Sequence, residues 1–257
     1  MLAPLTFESL TIVFFVALAL AAPATRTTLR RRFYAVFLCA AVVIGVMLVA
    51  RTTINLRGWL GHAYLAAGYW IPALLAPIHS YPGRFESWLV RIDRHSGRFA
   101  MRLPAWAVSL LELSYLLCYL LVPTAFVLVW MTGTAADVDR FWSAVLLSGF
   151  VCYGSLPWLV SRPPRSLGES RPTVAGVRRV NEIVLARVSH GLNTFPSGHV
   201  AVSIAAALEV VPTLPRAGIA LLAVAAGVAA GAVTGRYHYG VDVVLGAAIA
   251  IGVSLLI

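Results

Sequence analysis

Eight runs of apolar residues, at approximately 8–24, 33–50, 59–79, 105–131, 140–160, 197–212, 216–234 and 238–257, dominate this chain. Each approaches the roughly 20 residues that a helix needs to cross a bilayer. Hydrocarbon offers no partner for a stray backbone N–H or C=O, so helix-length apolar runs lead to a bundle of α-helices. Composition agrees. Hydrophobic residues make up 60% and charged residues 12% of the 257 positions, and the mean hydropathy is +0.85, a balance far from that of water-soluble domains. The expected fold class is an all-α membrane protein, a helical bundle of about eight transmembrane helices. The 59–79 run is the weakest, because Gly61, Gly68 and Pro72 interrupt it, and an interfacial position is its other reading. The first run has the length of a signal peptide. No positive charge precedes it and it contains Glu8, which favours a retained helix.

All 20 cationic side chains are arginine, and they outnumber the acidic ones to give a formal net charge of +10. A genome rich in G and C produces such a bias. So does a need for guanidinium forks, which bind phosphate oxygens in pairs and stay charged when partly buried. The arginines lie in short loops between apolar runs, which points to anionic lipid and away from nucleic acid. If every run crosses, sixteen share one face, and Arg51, Arg57, Arg140 and Arg216 lie opposite. The positive-inside rule then puts the richer face in the cytoplasm of a multi-pass protein, expected in a bacterial cytoplasmic membrane. Cys39, Cys118 and Cys152 all sit inside apolar runs without metal-ligand spacing, so neither a metal site nor a disulfide framework is expected. His62, His79 and His95 have no partner at a telling spacing and read as structural. Glu112 and Glu209 read as neutral carboxyls hydrogen-bonded between helices, since charge there is costly.

Two segments outside the runs carry helical periodicity. Phe85, Trp88, Leu89 and Ile92 fall along one side of a helix over 84–94, with charges on the other. That pattern suits a helix lying in the headgroup plane, with a solvated loop as the alternative. Val177, Val180, Val184 and Val188 repeat similarly inside the basic loop 166–192, whose arginines form a solvated face or select a headgroup.

Three polar clusters interrupt the C-terminal half: Ser161-Arg162-Pro163-Pro164-Arg165, Asn193-Thr194-Phe195-Pro196-Ser197-Gly198-His199, and Thr234 to Asp242. The runs at 197–212 and 216–234 form a hairpin, so all three clusters reach one membrane face. His238 and Asp242 are four apart, on one side of a helix. A carboxylate on one imidazole nitrogen fixes the tautomer and frees the other nitrogen to attack. A plain hydrogen bond at a helix start is the structural alternative. Pro196 suits a first turn, after which the N–H groups of Ser197, Gly198 and His199 favour an anion. His199 is placed to protonate a leaving oxygen. Arg162, with Arg165 and Arg236, would offset charge on phosphoryl oxygens. A transporter lined by these polar loops is the rival of a different class.

These motifs resemble the type-2 phosphatidic acid phosphatase superfamily. Its signature is an Arg-Pro, then Pro-Ser-Gly-His, then His-x-x-x-Asp, matched here by Arg162-Pro163, Pro196 to His199, and His238 with Asp242. The resemblance covers about residues 59–257 as a six-helix core, with 1–58 a two-helix extension. It implies metal-independent, cofactor-free hydrolysis of a lipid phosphate or polyprenyl pyrophosphate. In that scheme His238 becomes a phosphohistidine, Asp242 orients it, and His199 protonates the leaving group. Arg162, Ser197, Gly198 and Arg236 hold the phosphoryl group. Two family positions differ: the usual lysine is Ser155, and an arginine expected six residues before the third-motif histidine is Ala232. Arg-Pro-Pro-Arg and Asn-Thr-Phe-Pro-Ser-Gly-His look closer to the branch of the inositol phosphorylceramide synthases. A lipid phosphotransferase is therefore the alternative.

Overall fold

Every apolar run becomes helix in the computed structural model, which describes residues 4–77, 83–94, 103–168 and 176–257. His79, His95 and part of the 166–192 loop lie outside the described residues. The order is α1 (Thr6–Ala21), α2 (Leu29–Val49), α3 (Ile54–Leu75), α4 (Arg84–Ile92), α5 (Ala105–Leu116), α6 (Cys118–Thr132), α7 (Ala135–Gly154), α8 (Val177–Val188), α9 (Gly198–Val210), α10 (Pro215–Thr234) and α11 (Gly240–Leu256). Among the described residues there is no strand, and one isolated antiparallel bridge joins Ser161 to Asn193. The protein is membrane-embedded. Helix α1 with its short continuation to Ala24, helix α2 and helix α10 are each long and apolar enough to cross a bilayer, and α5 with α6 forms a fourth span bent by 52°. Of the other four runs, α9 has 13 residues and α11 has 17, or about 20 and 26 Å of helix. Helices α3 and α7 carry Arg57, Asp137, Asp139 and Arg140 near their starts.

Helix α9 is the hub. Val200, Ala201, Val202, Ser203, Ala205, Ala206 and Ala207 are all buried, and the helix packs against α6, α7, α10 and α11. Small side chains on every face let four neighbours approach closely. Helix α7 begins at Ala135, five residues before the apolar run, because Thr134 and Asp137 build a capping box there. Such a box satisfies N–H groups at a helix start that otherwise lack partners. The glycines that weaken α3 as a run are its contact face with α7. A Cβ at Gly61 would lie 2.2 Å from the Trp142 ring, and one at Gly68 would lie 2.5 Å from Phe150.

Phe7, Phe15 and Leu18 of α1 share one core with residues of α3, α7 and α9. The expected boundary at 58/59 falls inside α3. On the face away from the polar clusters, Glu8 pairs with Arg57 at 2.6 Å, and Asp139 accepts the N–H groups of Thr6 and Phe7 at 3.1 and 3.0 Å. Glu112 and Glu209, expected as carboxyls hydrogen-bonded between helices, each face an arginine. Glu209 pairs with Arg140 at 2.9 Å, and Glu112 with Arg178 at 3.0 Å. The arginines come from near the starts of α7 and α8, which periodicity along a single run does not register.

Helices α4 and α8 present polar residues inward. Glu86, Leu89 and Asp93 are buried while Trp88 and Ile92 are exposed, and in α8 Arg178, Asn181 and Leu185 are buried while Val180 and Val188 are exposed. Exposed apolar side chains suit a surface that meets lipid. The protein interior at this end is polar.

Candidate active site

The three polar clusters converge at one end of the bundle. The ring centroids of His199 and His238 are 5.9 Å apart. His238 precedes α11 by two residues, so it is not on a continuous helix with Asp242. The turn between α10 and α11 folds it back, leaving His238 Nδ1 3.4 Å from Asp242 Oδ2. Asp242 sits in the first turn of α11, and the same oxygen accepts the Tyr239 N–H at 3.1 Å. A carboxylate there both caps the helix and is favoured by its dipole. Asn193 completes the carboxylate's surroundings, donating from Nδ2 to Asp242 Oδ2 at 2.9 Å and to Ser161 Oγ at 3.1 Å. It ties the first cluster to the third. Its place within the second cluster was the available signal, but no spacing rule assigns it to Asp242.

Pro196 stands before α9 rather than in its first turn, and Ser197 is the N-cap residue. The Ser197 N–H donates to the Asp242 carbonyl at 2.9 Å, and the Gly198 N–H donates to Thr194 Oγ1 at 3.3 Å. Both amides are thus bonded within the protein. The Ser197 hydroxyl is buried without a hydrogen-bond partner among the described residues. Gly198 has a packing role, because a Cβ there would lie 2.0 Å from Tyr153 Cε1. Gly198→Ala forces the buried Tyr153 ring to move, and overpacking of this kind costs about 1–3 kcal/mol. The expected result is a fall of roughly 2–12 °C in the thermal unfolding midpoint in detergent. An unchanged midpoint would show that the ring moves freely.

The arginines divide. Arg165 lines a small cavity with His199, His238, Tyr69, Tyr115 and Tyr237; its guanidinium carbon lies 5.1 Å from the Tyr237 ring centre. The cavity measures about 20 Å³, room for about one water. Arg162 does not line it. Its N–H, Nε and Nη2 donate to the Glu86 carboxylate at 2.8, 3.1 and 2.7 Å. Burial opposes charge on Glu86, but these bonds outweigh it and hold the carboxyl below its ordinary pKa. Arg236 does not line it either, and donates from Nη1 to Asp93 Oδ2 at 2.6 Å. Its backbone has φ of 61°, a left-handed conformation that costs a non-glycine residue about 1–2 kcal/mol.

Tyr237 stacks on Tyr115 with centroids 4.1 Å apart, and its hydroxyl donates to Glu112 Oε2 at 2.5 Å. His190 stacks on Tyr69 at 4.3 Å, and burial pushes its pKa down to about 4. Ser155, at the position of the family's lysine, bonds through its hydroxyl to the Phe195 carbonyl and at 2.8 Å to that of Cys152. It anchors the end of α7 to the residue before Pro196. Glu86, Asp93, Tyr69 and Tyr115 carried no motif that singled them out.

Beyond His199 and Tyr69 lies a second cavity of about 260 Å³. Leu65, Ala66 and Trp70 of α3 line one side, Tyr119, Val122 and Pro123 of α6 another, and Val202 its floor. His62 closes the far end among Trp59, Phe126 and Trp142. Ala66 and Trp70 are exposed where the cavity meets the lipid-facing surface.

Over residues 140–257 the chain matches the family model described as the PAP2 superfamily. No curated protein and no solved structure matches it.

Proposed function

We propose, from the match of residues 140–257 to the PAP2 superfamily, whose members are phosphoesterases, a lipid phosphate or pyrophosphate phosphatase that works through a phosphohistidine. The observation that carries the lipid substrate is continuity. The apolar cavity between α3 and α6 shares His199 and Tyr69 with the polar one. A phosphate at the histidines would thus have its hydrocarbon chain in apolar surroundings, where each buried methylene stabilises the complex by about 0.8 kcal/mol.

In the proposed reaction Asp242 keeps the His238 Nδ1 proton, and Nε2 attacks phosphorus. The bond from phosphorus to the leaving oxygen breaks, and that oxygen takes a proton from His199. Water, deprotonated by His199, then attacks the phosphohistidine, returning His238 and releasing phosphate. Arg165 is the guanidinium that lines the cavity with both histidines. Arg162, Arg236, Ser197 and Gly198 belong to the same reading as groups that hold the phosphoryl end. The cavity between the histidines must widen to admit it. The apolar cavity would equally let a lipid alcohol reach the intermediate, which is how the transferase alternative would operate.

The test offers purified protein phosphatidic acid, a polyprenyl pyrophosphate and a water-soluble phosphate ester. Phosphate release is expected from at least one lipid. Ala66→Trp, which fills the apolar cavity, should raise KM for that lipid about tenfold and leave the soluble ester unaffected. Product lipid without free phosphate would establish transfer. Equal, background release by wild type and His238→Ala from every lipid would end the hydrolase reading.

A further inference from the structure

Helix α4 has nine residues, yet it reaches all three polar clusters. Glu86 takes three N–H bonds from Arg162 in the first. Phe85 and Trp88 set their rings against Phe195 in the second, at centroid distances of 5.0 and 6.2 Å. Asp93, at the helix C-cap, accepts from Arg236 at 2.6 Å and from the Gly240 N–H at 2.7 Å in the third. Glu86 and Asp93 are 1% and 4% exposed. A carboxylate is buried at high cost unless it is paired, and these two are paired with groups of the candidate site.

The two contacts differ in kind. Glu86 grips one edge of the Arg162 fork and the Arg162 backbone together, fixing a planar group whose value to a phosphate lies in its orientation. Asp93 brackets His238: its two oxygens hold the residues two before and two after it. Between those holds runs the turn that contains left-handed Arg236 and carries the imidazole towards Asp242. Loss of the bracket lets the strained turn relax, and a displacement near 1 Å at a reacting group costs about a hundredfold in rate.

We infer that Glu86 and Asp93 are positioning residues, Glu86 acting through Arg162 on phosphate binding and Asp93 acting through the 236–240 turn on the nucleophile. Neither lines the cavity that holds the histidines. The inference rests on the phosphatase reading, and it assigns the amphipathic helix a task beyond membrane attachment. The two carboxylates therefore have separable signatures.

The experiment uses the full chain in nanodiscs, with Glu86→Gln, Glu86→Asp, Asp93→Asn and Asp93→Glu beside wild type. Each is measured for kcat and KM on the lipid phosphate that wild type hydrolyses, for inorganic phosphate affinity by calorimetry, and for the His238 imidazole titration by nitrogen NMR. Glu86→Gln is expected to weaken phosphate and raise KM about tenfold while kcat stays within about threefold. Asp93→Asn should lower kcat about a hundredfold, shift the His238 titration and leave phosphate affinity near wild type. The conservative Glu86→Asp and Asp93→Glu should each recover part of the loss. A purely structural role would instead lower kcat, affinity and the unfolding midpoint together in both variants, and that result, or no change in either, overturns the inference. If wild type hydrolyses nothing, the proposed function fails by itself. Phosphate affinity and the imidazole titration then still decide for or against Glu86 and Asp93.

Discussion

His238→Ala is expected to reduce phosphate release by about ten-thousandfold or more, the scale seen when the group that forms the covalent bond is removed. Its imidazole faces His199 across 5.9 Å and has its Nδ1 next to Asp242, the placement that the proposed nucleophile requires. His199→Ala should behave differently. Loss of a proton donor matters most when the leaving oxygen is basic. The variant should therefore fail on an alkyl phosphate and retain substantial first-step activity on a nitrophenyl ester, whose oxygen departs unprotonated. With the ester, a phosphoryl group should accumulate on the protein, because the proposed general base for its hydrolysis is gone. The label should be acid-labile and stable to alkali, as phosphohistidine is, and absent from His238→Ala. Full activity of His238→Ala would remove the covalent mechanism altogether.

Glu112→Ala should give the largest loss of stability. Glu112 and Arg178 are both buried, at 2% and 4% side-chain exposure, and the Glu112 carboxylate also accepts from Asn181 Nδ2 at 2.7 Å and from the Tyr237 hydroxyl at 2.5 Å. Removing it leaves the buried Arg178 with only the half-exposed Glu182, at 3.3 Å, as an ionic partner among the described residues, and breaking a buried pair costs up to about 3–5 kcal/mol. For a chain of this size that corresponds to a fall of roughly 6–20 °C in the unfolding midpoint. Glu112→Met with Arg178→Met should restore much of the difference, because a well-packed apolar pair replaces a buried ionic one with little net loss. The double-mutant cycle then isolates the coupling. An unfolding midpoint within about one degree of wild type for Glu112→Ala would show that Glu182 or water satisfies Arg178 without it. Activity should fall along with stability, since Tyr237 precedes His238 and its hydroxyl rests on this carboxylate.

Much of the candidate site was legible because its parts are local. Pro-Ser-Gly-His and His-x-x-x-Asp each lie within a few residues, and a helix or turn brings such neighbours together whatever the remaining fold. The three clusters were expected on one face from the hairpin alone, and the structure places them together. Arg162 and Arg236 were legible as cations. Their partners were not, since Glu86 lies 76 residues from Arg162 and Asp93 lies 143 from Arg236. Nothing periodic links such distances. The glycines of α3 show the same limit: in a run they read as weakness, and only the Trp142 and Phe150 rings against them reveal a contact face.

By itself the sequence determined where the helices form and which residue types stand at their ends. Backbone hydrogen bonds close within four residues, and apolar runs answer directly to hydrocarbon. Tertiary structure decided which way each amphipathic segment turns, and hence that α4 directs carboxylates inward while Trp88 faces out. It also decided that Arg165 lines the cavity while Arg162 and Arg236 bind acidic partners. Those outcomes depend on which charges finish side by side once the helices pack, because a charge leaving water must find an opposite charge wherever the chain supplies one.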